Sequence, residues 1–318
     1  MRITRFEYQG RTSVGLYSDT HLLPLSAASA AYVQATGEAV ALPDSDDLLA
    51  FLPPQGPGYA AAARVAAWVE KEPAAVEAEL IPLAEVQLLV PIPRPNKLFL
   101  LAGNYAAHIE EGGGVAAERA ETFPYVFMKP PTTTLTNPGQ PVIVPSVSPE
   151  HVDWELELAV IIGKQVKGVK EADALAAVAG YTVINDISNR KFRPNPGRKK
   201  REKDVFFDWL HGKWHDSFCP CGPCVLSADA LPDPQSLKMQ LRVNGDLKQD
   251  ASTGLQVFPV AAVIEFISSF VTLEPGDMIS TGTPAGVGNT TGTYLHAGDK
   301  VEAYIEKIGT LVSPVRGE

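Results

Sequence analysis

The sequence predicts a β-rich α+β fold, with a small N-terminal α/β domain over residues 1–85 and a larger strand-dominated domain over residues 86–318. Three observations carry this. Apolar runs are short and punctuated by Gly, Pro and Asn, rather than alternating with regular amphipathic helices. Hairpin signals join them, most plainly Asn244-Gly245 between Gln240–Val243 and Leu247–Gln249. Near residue 85 the texture changes from Ala-rich sequence to Pro-bounded apolar runs at Leu88–Ile92, Lys97–Leu101 and Val142–Val144. Strands joined this way favour an α+β arrangement over a doubly wound sheet.

Taken in order, Met1–Tyr8, Thr12–Tyr17 and His21–Leu25 alternate apolar and polar residues and read as strands. Ser45–Leu52 opens on a Ser-Asp-Asp cap signal, and Tyr59–Leu80 is an Ala-rich helix that Pro73 breaks. Lys170–Gly180 reads as a short amphipathic helix ending in Gly, leading into the strand Tyr181–Asp186. Pro259–Phe270 reads as a helix with Pro at its start. At 318 residues, 45% of them hydrophobic and 20% charged, the chain has the balance of a soluble globular protein. A net charge of −10 disfavours nucleic acid as a partner. With neither a long apolar run nor a basic-then-apolar leader at Met1, the expectation is a cytoplasmic protein with no membrane partner.

The chemistry concentrates in His151–Gly163. Glu155 and Glu157 are two apart in a β-prone run, so they share one face while Trp154, Leu156 and Leu158 take the other. Neighbouring like charges repel, partial burial raises the cost of ionisation, and a cation relieves both. The plain alternative is a half-exposed strand with an acidic face. Asp186 closes a second apolar strand and supplies a third oxygen donor, a set that suits Mg²⁺, Mn²⁺ or Ca²⁺ rather than zinc.

Other residues extend the argument. A helical turn from Tyr105 places His108 and Glu111 on one face, where a carboxylate can orient an imidazole as a general base; an exposed polar turn fits as well. Gly112-Gly113-Gly114 behind it has the looseness of a hinge. Thr281–Gly288 is a Gly-rich turn, either structural or a cradle for an anion. Lys129 and Lys213 lie in apolar or Gly-rich contexts unusual for lysine. Arg190–Lys203 holds eight basic residues with only Glu202 opposing them, a solvated loop or an attractor of anions. Cys221-Gly222-Pro223-Cys224 has the letters of a thioredoxin motif, yet no strand-then-helix context surrounds it, and with Cys219 the three cysteines form neither a disulfide framework nor an evident zinc site.

Six segments, in this order, resemble the fumarylacetoacetate hydrolase family over about residues 95–300. They are Gly103-Asn104-Tyr105…His108…Glu111, Phe127-Met128-Lys129-Pro130, Asp153-Trp154-Glu155-Leu156-Glu157-Leu158, Asn185-Asp186-Ile187-Ser188-Asn189-Arg190, Gly212-Lys213…Asp216, and Thr281-Gly282-Thr283-Pro284. The resemblance implies a mixed β-sandwich/β-roll catalytic domain, a homodimer, and a divalent cation, usually Mg²⁺ (Mn²⁺ or Ca²⁺ also fit), on Glu155, Glu157 and Asp186. It implies a small anionic 2-oxo acid substrate held by Lys129, Arg190 and Thr283, with water activated by His108 and Glu111 and an enolate steadied by Lys213. The expected reaction is hydrolysis of a C–C bond in a 1,3-dicarbonyl or acylpyruvate-type acid, in catabolism of aromatics or sugar acids. Decarboxylation, isomerisation or sugar-acid dehydration on the same site is the alternative. The basic stretch spaces two of the segments more widely than expected, and the first 85 residues carry none.

Overall fold

Residues 1–318 are all described by the computed structural model. The N-terminal alternation produces β1 (Arg2–Tyr8), β2 (Arg11–Tyr17) and β3 (His21–Pro24). Gln9 and Gly10, at φ 50° and 75°, close the first hairpin. Helix α1 (Leu25–Thr36) follows, a correction to the expectation of short strands and turns through the first forty residues. Its Ala/Ser-rich run has little apolar contrast, and only Leu25, Ala28 and Tyr32 are buried, one narrow stripe at helical spacing. Gly37 ends it in the left-handed region, its N–H on the Val33 carbonyl. The Ser45–Leu52 segment is shorter than expected, a 3₁₀ turn over Leu48–Phe51 whose Asp47 side chain accepts from Leu49 N. Helix α2 (Tyr59–Lys71) stops before Pro73, and Pro73–Glu79 continues as 3₁₀.

Beyond it come β4 (Ile81–Pro82), β5 (Gln87–Leu89), β6 (Leu98–Ala102), α3 (Ala106–Glu111), β7 (Tyr125–Met128), α4 (Pro131–Thr134), β8 (Leu135–Thr136) and β9 (Val142–Val144). Then follow β10 (Val152–Asp153), β11 (Leu156–Ile162), α5 (Glu171–Ala174), β12 (Val178–Asn185), β13 (Ser188–Asn189), α6 (Asp204–His211) and β14 (Cys219–Ser227). The chain ends with β15 (Lys238–Val243), β16 (Asp246–Ser252), α7 (Val260–Phe270), β17 (Met278–Ser280), α8 (Gly288–Thr291), β18 (Lys300–Ile305) and β19 (Gly309–Gly317). The expected helix over 170–180 is corrected: α5 and one 3₁₀ turn fill Glu171–Ala177, and the strand already begins at Val178. Gly180 sits inside that strand, where a Cβ would stand 2.6 Å from the Leu226 carbonyl. It permits close strand packing and does not end a helix.

One large sheet runs β4-β3-β2-β1-β14-β12-β11-β17-β6-β7, and a second runs β16-β15-β18-β19-β9. Every residue of β11, β12 and β14 is buried, as a sheet covered on both faces requires. Along β11, Leu156, Leu158, Val160 and Ile162 join the core shared with the second sheet, while Ala159 and Ile161 join the core beneath α1 and α2. The Cys219–Cys224 run lies in β14 as extended, buried chain with free thiols, so no helix start presents a redox pair. The Asn244-Gly245 hairpin forms as read, with φ 54° and 88° at the turn.

The large sheet crosses residue 85 without interruption, because β1 pairs with β14 through Ile3 and Val225. We therefore expect one cooperative denaturant transition for the whole chain. Ile3→Ala, at a fully buried position, is expected to shift that single transition by about 2–5 kcal/mol. A separate early transition for the first 85 residues, followed by far-UV and intrinsic fluorescence signals, would show two independent units.

Candidate metal centre

Strands β11 and β12 run antiparallel with Leu156 opposite Asn185, so Glu155 and Asp186 meet just past the paired ends. There Asp186 N donates to the Glu155 carbonyl at 2.8 Å and Glu155 N donates to Asn185 Oδ1 at 2.9 Å. Glu157 follows two residues on, as alternation requires. Glu155, Glu157 and Asp186 each present an oxygen within 4.8 Å of the others, and all three are buried.

Three cations and two neutral donors hold these carboxylates. Lys213 Nζ donates to Glu155 Oε2 at 2.9 Å, Asp186 Oδ2 at 2.6 Å and Ser188 Oγ at 2.8 Å. Lys129 Nζ donates to Asp186 Oδ1 at 2.5 Å and to the carbonyls of Ile187 and Phe218 at 3.0 and 2.6 Å. Arg190 Nη2 lies 2.7 Å from Glu155 Oε1, and its Nε donates to Asp153 Oδ2 at 2.7 Å. Glu157 touches no cation. Its Oε2 accepts from Ser280 Oγ at 2.6 Å and Gly282 N at 2.9 Å, while its Oε1 is buried without a partner.

The electrostatics follow from that inequality. Burial pushes the Glu157 carboxyl well above the usual range, and the charges of Asp186 and Glu155 push it further. Glu155 is equally buried, but Lys213, Arg190 and His108 outweigh the burial and hold it well below that range. Lys213 is raised despite burial because Asp186 and Glu155 face it. A buried oxygen with no donor, beside two more carboxylates, fits a hard divalent cation, and no Cys or His belongs to the set.

His108 and Glu111 lie on α3 as the spacing indicates, with Nδ1 and Oε1 2.8 Å apart. Glu111 Oε2 in turn accepts from Gly286 N at 2.9 Å, tying α3 to the Gly-rich turn. Three residues expected to hold substrate make these contacts within the protein. The three Lys129 donors are spent on protein oxygens and the side chain is 1% exposed, so it braces Asp186. Arg190 hydrogen-bonds Asp153 through Nε and forms a charge contact with Glu155 through Nη2, which lacks hydrogen-bond geometry. Thr283 is buried, its Oγ1 accepting from Gln249 Nε2 at 2.8 Å. Sequence alone does not single out Ser280 or Gln249, and gives Asp153 no role of its own. Gln249 Oε1 accepts from Leu156 N while its amide reaches Thr283 and Pro284, pinning the second sheet to the carboxylate strand. Ser280 pairs with Ala159 across β17 and β11, a register with no local signature.

In the basic segment, Arg198 pairs with Asp204 and Asp208, folding the loop onto α6. Next to it, Lys213 Nζ lies 5.2 Å from the Phe127 ring centroid and 5.6 Å from that of Trp209. No helix is long and apolar enough to cross a membrane.

Residues 97–316 match the fumarylacetoacetate (FAA) hydrolase C-terminal family, and the chain belongs to that family. It is 38% identical over 249 residues to the mitochondrial oxaloacetate tautomerase Fahd2a of Rattus norvegicus, covering 78% of this chain and 75% of that one. Among solved structures it resembles a fumarylacetoacetate hydrolase from Exiguobacterium antarcticum, with a TM-score of 0.74, 28% identity and all of both chains covered. It also resembles a maleylpyruvate hydrolase from Sphingobium sp. SYK-6 in complex with manganese(II) and pyruvate, with a TM-score of 0.66, 30% identity, and 100% and 99% of the two chains covered. These findings support a mixed, strand-rich enzyme fold with a divalent-metal site.

A carboxyl whose folded pKa is raised above its unfolded value costs stability once ionised. The chain without metal therefore loses stability as pH rises from the unfolded value, near 4.5, toward the raised value of Glu157. A cation on that oxygen offsets the loss. Added Mn²⁺ or Mg²⁺ is expected to raise the melting temperature more at pH 8 than at pH 5, the stabilisation being about 2.7 kcal/mol at a hundredfold excess over Kd. Equal shifts at both pH values would contradict this assignment.

Proposed function

We propose that this chain is a divalent-metal enzyme that moves a proton at the carbon beside the carbonyl of a small anionic 2-oxo acid, interconverting its keto and enol forms. The observation that carries the reading is the unpartnered Glu157 oxygen among three carboxylates, together with the hydrogen-bonded His108–Glu111 pair on α3. The tautomerase name of the rat relative supports the reaction. Glu155, Glu157 and Asp186 would hold Mg²⁺, or Mn²⁺ in its place. Bound there, the cation supplies Lewis-acid polarisation of the substrate's carbonyl oxygen.

The protein's own groups do the rest. Glu111 receives the Nδ1 proton of His108 in a hydrogen bond and leaves Nε2 free to accept the substrate proton. Because Gly286 N holds the other Glu111 oxygen, the imidazole is oriented before substrate arrives. Lys213 donates to Glu155 and Asp186 and keeps both ionised, and it is the ammonium that would steady a developing oxyanion beside them. Lys129 and Arg190 act from behind, fixing Asp186 and Glu155.

A second reading is hydrolysis of a C–C bond in an acylpyruvate-type acid, with the same histidine delivering its proton acceptor to water. The maleylpyruvate hydrolase likeness favours it. We propose a homodimer in either case. A panel of oxaloacetate and acylpyruvates, run with EDTA and with Mg²⁺ add-back, separates the two by product. Enol–keto exchange without C–C cleavage supports tautomerisation; release of pyruvate together with the carboxylic acid from an acylpyruvate supports hydrolysis, whereas pyruvate and CO₂ from oxaloacetate is decarboxylation and supports neither. His108→Ala is expected to lower turnover by about 10²–10⁴-fold with metal binding unchanged. Retained turnover in that variant would remove His108 as the base.

A further inference from the structure

We propose that Asp153 is a positioning residue that sets the spacing between the His108–Glu111 pair and the carboxylate cluster, an inference that rests on reading the cluster as a metal site. The fully buried Asp153 carboxylate joins two limbs. One leads to the cluster, where Arg190 Nε donates to Asp153 Oδ2 at 2.7 Å and Arg190 Nη2 lies 2.7 Å from Glu155 Oε1. The other leads to the pair: Gly288 N donates to Asp153 Oδ1 at 2.7 Å and Asn289 N to Oδ2 at 2.9 Å. That same turn grips Glu111, through Gly286 N at 2.9 Å and Thr290 Oγ1 at 3.4 Å.

Trp154 N is the fourth donor, at 2.8 Å, so each Asp153 oxygen accepts two bonds. The turn has no slack. A Cβ on Gly288 would stand 1.9 Å from the Thr293 carbonyl and 2.8 Å from Asp153 Oδ1, and the Trp154 indole N–H holds the Gly286 carbonyl at 3.1 Å. Capping the four residues of α8 accounts for the Gly288 and Asn289 bonds but not for Arg190. A buried carboxylate shared between a backbone turn and a guanidinium transmits any displacement of one to the other.

Asp153→Asn keeps the size and removes one acceptor. Whichever way the amide turns, one limb meets a donor facing a donor. In a titration of Mn²⁺ without substrate, followed by the EPR signal of the free ion, half-saturation is expected to rise about 10–100-fold. The pH profile of kcat at saturating Mn²⁺ is expected to move as well, because the Glu111 anchor shifts. Arg190→Lys severs only the first limb, so it should weaken Mn²⁺ binding and leave the pH profile in place. If Asp153→Asn unfolds, Arg190→Lys decides alone, and unchanged Mn²⁺ binding there overturns the proposal. A folded Asp153→Asn with wild-type Mn²⁺ binding and pH profile, whatever its melting temperature, shows a mere cap and also overturns it. A wild-type chain that leaves Mn²⁺ free overturns the metal reading itself, and the inference with it.

Discussion

Four buried carboxylates face three cations at the end of the central sheet, and the rest of the site depends on which carboxylate is left over. Lys213 and Lys129 take Asp186, Lys213 and Arg190 take Glu155, and Arg190 takes Asp153. Glu157 has only a serine hydroxyl and one backbone N–H on one oxygen, and nothing on the other. Ionising it there is costly, since burial and two neighbouring carboxylates all oppose the charge. A divalent cation among the three resolves the deficit, while the three fixed cations limit the repulsion that would otherwise open the strand ends.

The fold makes this arrangement rigid before any ligand arrives. Three carboxylates come from the ends and interior of two antiparallel strands that are buried throughout. The cations come from elsewhere: Lys129 after the edge strand β7, Arg190 after the short β13, and Lys213 just beyond α6. Bringing cations from three connections to one sheet end places fixed positive charge around the acids at no cost in flexibility. The His108–Glu111 pair stands on a different element, α3, joined to the Gly-rich turn by Glu111. The carboxylate cluster and this pair sit on separate elements, and Asp153 bonds both to Arg190 beside the cluster and to the turn that holds Glu111.

Much of the chemistry was legible in local sequence. The two-residue alternation put Glu155 and Glu157 together, the strand-ending acid identified Asp186, and a three-residue helical spacing paired His108 with Glu111. Hairpin and breaker signals placed Asn244-Gly245 and the end of α2. What stayed hidden was set by long-range contact. Lys129, Arg190 and Thr283 contact Asp186, Asp153 and Gln249, partners distant in sequence that no local pattern marks. The start of β12 at Val178 follows from pairing with β11 and β14, which overrides a helical-looking run. Pairing of β1 with β14 likewise carries the sheet past a change of composition near residue 85. Helix α1 lacked apolar contrast because small residues suffice against a close neighbour.

The most direct test of this account is an anomalous-scattering map from crystals of the wild-type chain grown with Mn²⁺ near pH 8. The account requires one peak bonded to the free oxygen of Glu157, with Glu155 and Asp186 completing the protein ligands at about 2.0–2.2 Å and no Cys or His among them. A map with no peak there, or with the ion held elsewhere while Glu157 keeps its unpartnered oxygen, would contradict it.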